Sequence, residues 1–331
     1  MSWIYVTEPG AKLSKQGGHY IIRRENETLC EVPICVVEGV TLFDTIQISA
    51  DAIVELLKNK VPVTWLSSTG RFFGRLESTD NSNVLRQKEQ FAALENEEFR
   101  LKLAKRVAFG KIYNQRTILR NYNRRINSPS VEKARWDIRV IADKIHQIHG
   151  IDQLRGYEGM IAKIYFHGIG QMVPKSFAFE KRTRRPPKDY FNSMLSLGYT
   201  LLLYDFYNAL INCGLHPYVG FFHALKNGHP ALASDLMEPW RPAVVDGLCL
   251  SLVKRKEISP EHFDISETGG VYLNRIGRKI FIEAYEKKIR SVNTYFQGKY
   301  SWRHTIQMEC DSYSLAVHQM DVEQLKPMVI R

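Results

Sequence analysis

Residues 128–148 read SPSVEKARWDIRVIADKIHQI, and the spacing of their apolar positions decides the fold. Val131, Ala134, Ile138, Ile141, Ile145 and Ile148 recur at alternating steps of three and four, one stripe of an amphipathic helix. Ser128-Pro129-Ser130 ahead of the stripe supplies a break and a cap. On both sides of it the helical period continues, predicting helices over 90–120, 152–166, 190–212, 217–226, 242–256, 272–290 and 302–321. Upstream of about residue 88 the pattern changes. Short runs of β-branched and aromatic residues, Trp3–Val6, His19–Arg24, Thr28–Val32, Cys35–Val37, Val61–Leu66 and Phe72–Leu76, read as strands. Gly17-Gly18 and Glu25-Asn26 are turns between them, and Ser49 is the N-cap of a short helix through Lys58. The polar stretch Ser78-Thr79-Asp80-Asn81-Ser82-Asn83 marks a boundary. The expectation is an α+β chain: a small β-rich domain over 1–77, a linker over 78–88 and a larger all-α domain over 89–331.

A chain of 331 residues, 44% hydrophobic, has enough apolar surface for two cores. It carries 46 Lys+Arg against 35 Asp+Glu, a net charge of +11. The excess sits in one place. Residues 100–149 hold thirteen basic and three acidic side chains, whereas residues 1–80 hold eight basic and ten acidic. Solvated helices ordinarily interleave both signs, so a bias of this kind favours a polyanionic partner such as nucleic acid. The five cysteines, Cys30, Cys35, Cys213, Cys249 and Cys310, form no zinc pattern and are read as reduced, small apolar residues. No signal-like start and no apolar run of spanning length is present, which predicts a cytoplasmic protein without a membrane partner.

Three side chains stand in settings that charged or polar groups avoid: Glu158 in Arg155-Gly156-Tyr157-Glu158-Gly159, His223 after Phe221-Phe222, and Glu238 after Asp235-Leu236-Met237. Leu154, Glu158, Ile161 and Tyr165 share one helical face, although Tyr157, Ile161 and Ile164 define a competing one. His223 is placed on an apolar helix. Each residue has a plainer explanation, a solvated Glu or a packed core His, and the constellation gains force only as a set. Buried carboxylates without partners cost several kcal/mol, and a divalent cation would relieve them. Carboxylates with one imidazole suit Mg²⁺ or Mn²⁺ rather than structural zinc. Asp235, three residues before Glu238, is an accessory carboxylate; His146, His149 and His229 are weaker candidates. Five cations lie between Lys181 and Lys188, among prolines, and suit phosphate contacts. A second basic stretch, Arg275, Arg278, Lys279, Lys287, Lys288 and Arg290, is a less specific one.

The chain resembles the CRISPR-associated protein one family over essentially its whole length. The resemblance runs through Val61-Pro62-Val63-Thr64-Trp65-Leu66-Ser67, Gly159, Arg184-Arg185-Pro186-Pro187, Gly198-Tyr199, Gly214-Leu215, Gly220-Phe221, His223 and Asp235-Leu236-Met237-Glu238 with Arg241-Pro242. His216 and Pro239 depart from the family's usual residues. The resemblance implies that Glu158, His223 and Glu238 are the catalytic metal ligands, with Asp235 accessory. It implies a homodimer through the β-rich domain, two such dimers being bridged by a dimer of CRISPR-associated protein two. The implied reaction is attack of a DNA fragment's 3′-hydroxyl on a phosphodiester at the leader–repeat junction. Arg184, Arg185, Lys188 and Arg241 are the cations expected to contact DNA nearby, a choice that the family motif itself does not fix. A general metal-dependent nuclease and a non-catalytic nucleic-acid scaffold are the alternatives.

Overall fold

The computed structural model describes residues 2–78, 83–295 and 298–330. Residues 79–82 of the expected linker therefore lie outside the described residues. The chain forms two compact units, Met1–Asn81 and Ser82–Arg331.

The first unit holds two four-stranded sheets. In one, β1 (Ser2–Val6), β5 (Val37–Phe43) and β7 (Val63–Leu66) run parallel, and β8 (Phe72–Leu76) closes the edge antiparallel to β7. Only Glu38 of β5 is exposed, as a parallel strand between two neighbours requires. In the other sheet the order is β4 (Glu27–Pro33), β3 (His19–Arg24), β2 (Ala11–Gln16) and β6 (Gln47–Ile48). Gly17-Gly18 and Glu25-Asn26 are the two-residue hairpin turns predicted for them, pairing Gln16 with His19 and Arg24 with Glu27. The strand expected at Cys35–Val37 is instead a 3-10 turn over Ile34–Val36, with β5 following it. Ser49 caps α1 (Ala50–Lys58) by accepting from the Ala52 amide at 3.3 Å.

The second unit is mostly helical. Asn96 divides the expected 90–120 helix into α2 (Val84–Glu95) and α3 (Glu97–Asn123), its side chain capping the latter through the Phe99 amide at 3.0 Å. In α4 (Pro129–Ala142) Val131, Ala134 and Ile138 are buried, and the stripe continues into buried Ile145 and Ile148 beyond the helix end. Ser128 does not cap α4 with its side chain; Asn123 instead receives the Ser128 amide at 2.9 Å and donates to its carbonyl. Helix α5 (Ile151–Gly170) packs on α3 and α4. Helix α6 (Tyr190–Asn212) is apolar around most of its circumference, the signature of a core helix.

No helix forms over 217–226. That segment is irregular, and the next helix is the short α7 (Ala231–Leu236). Pro217, Gly220, Gly228 and Pro230 punctuate it, and the amides of Phe221, Phe222 and His223 bond to Asp235 instead of to a preceding turn. Residues 241–246 form a π-helical turn before α8 (Gly247–Lys254). Helices α9 (Arg275–Arg290) and α10 (Trp302–Gln319) complete the unit. Two small hairpins, β9 (Phe263–Ile265) with β10 (Val271–Leu273) and β11 (Val292–Tyr295) with β12 (Gly298–Ser301), qualify the all-helical expectation. Cys213, Cys249 and Cys310 are buried as expected of small apolar residues, whereas Cys30 and Cys35 are exposed. Among the described residues no helix is long and apolar enough to cross a membrane.

Candidate functional site

Helix α3 contributes the residue around which the site is organised. The ammonium of Lys111, only 8% exposed, contacts Glu158 Oε1 and stands 2.5 Å from Glu238 Oε2. Glu158 comes from α5, whose Leu154, Ile161 and Tyr165 are buried as the four-three-four spacing predicts. Glu238 follows α7 and is 3% exposed. Its backbone is held from two sides. The Asn114 side-chain amide donates to the Pro239 carbonyl at 2.7 Å and to the Met328 carbonyl at 2.8 Å. The Trp240 indole donates to Glu309 Oε2 at 2.7 Å. Gly110 lets α3 approach this turn, since a Cβ there would lie 3.3 Å from Pro239.

His223 sits in the irregular segment, not on a helix, and Asp235 fixes it. Asp235 is fully buried and accepts four hydrogen bonds: from the amides of Phe221, Phe222 and His223 at 2.7, 2.9 and 2.9 Å, and from His223 Nδ1 at 2.5 Å. Gly220 permits this wrap, because a Cβ would fall 2.5 Å from Asp235 Oδ2. With Nδ1 turned to Asp235, the other ring nitrogen, Nε2, stands 3.7 Å from Glu238 Oε1. Arg155, one turn before Glu158, donates to the Phe222 carbonyl at 2.9 Å through Nε, tying α5 to the histidine segment.

The charges are balanced by neighbours. Burial pushes Lys111 down, but the Glu238 and Glu158 carboxylates outweigh it and hold the ammonium above its ordinary value. Burial likewise pushes Glu238 up, yet Arg241 and Lys111, with His223, bring it down to about 2. Arg241 lies 3.3 Å from Glu238 Oε1 and over the Tyr199 ring at 4.9 Å. Tyr199 donates to Asp246 Oδ1 at 2.5 Å and Tyr165 to Asp246 Oδ2 at 2.8 Å. Burial lifts Asp246 to about 6 against those two hydrogen bonds. A buried chain of contacts thus joins α5, α6 and the π-helical turn behind the glutamates.

Folding therefore brings Glu158, His223, Asp235 and Glu238 into one neighbourhood. Arg241 is committed to Glu238 and Tyr199, while Arg184, Arg185 and Lys188 are exposed. Burial and then the charge of His223 lower His229, and the Arg185 charge adds to the effect, so Arg185 acts within the same field. Of the second basic stretch, Arg275, Lys279, Lys287 and Arg290 are exposed, with Arg290 paired to Glu286 at 2.6 Å, and two members turn inward. Arg278 is buried, and Lys288, its ammonium over the Trp302 ring at 4.2 Å, is pushed down to about 8 by burial. Sequence reasoning missed Lys111, Arg155, Tyr199 and Asp246 as site members. For Lys111 a signal existed: it lies on the α3 stripe of Leu103, Ala104, Val107, Ala108 and Ile118, all buried.

Among the described residues no three His, Cys, Asp or Glu side chains are arranged to share one metal ion as they stand. The donor set nevertheless fits one. Lys111 already places a positive charge between two carboxylates, and Glu238 Oε2, though in ionic contact with it, takes no directed hydrogen bond. Two carboxylates and an imidazole lone pair suit a hard divalent ion such as Mg²⁺ or Mn²⁺.

A family model described as "CRISPR associated protein Cas1" matches residues 4–287. A CRISPR-associated endonuclease Cas1 of Mycobacterium tuberculosis is 31% identical over 319 residues, covering 94% of this chain and 93% of that protein. Among solved structures, a casposase bound to integration product superposes with a TM-score of 0.87 at 22% identity, covering 99% of this chain and 92% of the other. A chain of a Cas6-RT-Cas1–Cas2 complex superposes with a TM-score of 0.84 at 23% identity, covering 99% of this chain and 36% of that longer one.

Proposed function

Because the chain belongs to the CRISPR associated protein Cas1 family, we propose that it is a metal-dependent DNA endonuclease and strand-transfer integrase of CRISPR adaptation. The 3′-hydroxyl of a DNA fragment attacks a phosphodiester at the leader–repeat junction. One P–O bond forms to the incoming oxygen, one breaks to the departing 3′-oxygen, and the proton lost by the nucleophile balances the one the leaving group takes up. With water as nucleophile the same exchange is hydrolysis.

Glu158, Glu238 and His223 Nε2 would hold Mg²⁺ or Mn²⁺. Such an ion, when bound, would polarise a phosphate oxygen and offset the negative charge developing on the phosphoryl and departing oxygens. Asp235 keeps the imidazole in the tautomer whose Nε2 faces the carboxylates, and Arg241 restrains Glu238. Arg184, Arg185 and Lys188 contact DNA phosphates. We assign as partners a small Cas2 protein and a second copy of this chain, joined through the β-rich domain, with the reaction taking place in the cytoplasm.

The observation supporting this reading is that segments far apart in sequence bring Glu158 and Glu238 onto the Lys111 ammonium, with His223 Nε2 3.7 Å from Glu238 Oε1. The test is strand transfer of a labelled fragment into leader–repeat DNA with purified Cas2-type partner, in Mn²⁺ and in chelator. Joined branched product should form only with the ion, and Glu158→Gln and His223→Ala should abolish it. Cleavage without joining would favour a general nuclease. Unchanged activity in both variants would leave a nucleic-acid scaffold.

A further inference from the structure

We propose that Lys111 is the site's internal counter-cation: it occupies the place between Glu158 and Glu238 in the ion-free protein and is displaced when a divalent ion enters. This inference rests on the metal-binding reading above. Its ground is the pair of contacts that one ammonium makes. Lys111 Nζ touches Glu158 Oε1 and lies 2.5 Å from Glu238 Oε2, so both glutamates are aimed at a single positive atom. Without it, two carboxylates would face each other where water has little access, Glu238 being 3% exposed.

The residue type matters. Lysine carries a compact point charge on an unbranched stem, whereas arginine would spread its charge over a planar fork. A point charge bridging two carboxylates reproduces the position of a metal ion rather than that of a bidentate pair. The same contacts make the two cations exclusive. A dication between these oxygens would lie within contact distance of the ammonium, and the repulsion is strong where solvent screening is weak. Arg241, 3.3 Å from Glu238 Oε1, adds a further positive charge against simultaneous occupancy. The flexible stem of Lys111 allows the ammonium to leave while α3, pinned to the Pro239 segment by Asn114, stays in place. Lys111 is thus a positioning residue that keeps the glutamates convergent before the ion arrives, at the cost of ion affinity.

Calorimetric titration of the full chain with Mn²⁺ in magnesium-free buffer tests this, with Lys111→Met as the variant because it retains stem length without charge. The Kd for Mn²⁺ should fall by about tenfold or more, which is 1.4 kcal/mol. The ion-free melting temperature should fall while the Mn²⁺-induced rise grows. Unchanged or weakened affinity overturns the proposal, as does absence of Mn²⁺ binding by both proteins. Binding by the variant alone supports it. If Lys111→Met does not fold, a crystal structure of the wild-type protein soaked in Mn²⁺ decides: Lys111 must have left at least one glutamate, and an ammonium still bridging both overturns the idea. Failure of the underlying site reading looks different, because Glu158→Gln and His223→Ala would then bind Mn²⁺ as the wild type does.

Discussion

Asp235 receives two hydrogen bonds from His223, one from the backbone amide at 2.9 Å and one from ring Nδ1 at 2.5 Å. The first places the residue and the second sets its tautomer, so the carboxylate acts on the imidazole without facing the glutamates itself. Asp235→Asn would present an N–H₂ group to amides that are themselves donors, at Phe221 and Phe222 or at His223. The variant should lose about 10–100-fold in Mn²⁺ affinity or strand-transfer rate. Melting should fall with it, since a buried acceptor of four hydrogen bonds is disturbed. Titration calorimetry together with thermal melting checks both parts; unaltered Mn²⁺ binding would remove the orienting role.

The two glutamates should separate activity from stability. Glu158 has a side chain 23% exposed, and Lys111 keeps Glu238 if Glu158 is neutralised. Glu158→Gln should therefore inactivate with a melting temperature near that of the wild type. Glu238 is the shared partner of Lys111 and Arg241 in a buried setting. Glu238→Gln should inactivate and also destabilise by about 3 kcal/mol, the scale for breaking a buried pair. Denaturant unfolding of both variants gives the comparison, and equal losses would contradict the assigned burial of charge.

The legible parts of the fold were those where a local period reports burial. The α4 stripe from Val131 to Ile148 and the Leu154–Tyr165 face of α5 follow from side-chain spacing along one helix. Strand β2 was not visible because only Ala11 and Leu13 of its six residues are buried, the rest being polar. The 217–226 segment misled for a different reason. Val219, Phe221 and Phe222 do pack inward, but Leu225 stays exposed and the amides of 221–223 find their acceptor in Asp235, a contact no local pattern encodes. The proximity of Glu158, His223 and Glu238 likewise follows from family resemblance rather than from periodicity. Lys111 was hidden by its surroundings: in a segment of thirteen cations, a lysine reads as one more solvated charge.

A pH effect should come from Glu309, which is fully buried beneath Trp240. Burial raises its carboxyl from an ordinary 4.5 to about 8, against hydrogen bonds from the Trp240 indole and the Met328 amide. The folded state therefore holds a proton that the unfolded chain releases at lower pH. Its contribution to stability is complete below about 4.5 and is lost as pH rises to about 8. Glu309→Gln keeps an acceptor for Trp240 and Met328 and removes the ionisation. Melting temperatures of the two proteins should diverge in favour of the variant between pH 5 and 8 and run parallel above it. A pH-independent difference would show that Glu309 does not titrate in this window.

Arg241 and the Arg184–Lys188 cations should respond differently to salt. Arg184, Arg185 and Lys188 are exposed, and each phosphate they neutralise releases counterions. Replacing all three by alanine should weaken DNA binding and flatten the plot of log K against log salt concentration by about 0.9 per lost contact on duplex. Arg241 is engaged at 3.3 Å with Glu238 and lies 4.9 Å from the centre of the Tyr199 ring. Arg241→Ala should leave the salt slope near that of the wild type while lowering turnover, because it frees Glu238 rather than a phosphate. Fluorescence anisotropy of labelled DNA over a salt series, paired with strand-transfer rates, separates the two. A slope changed by Arg241→Ala as much as by the triple variant would make that arginine a DNA contact instead.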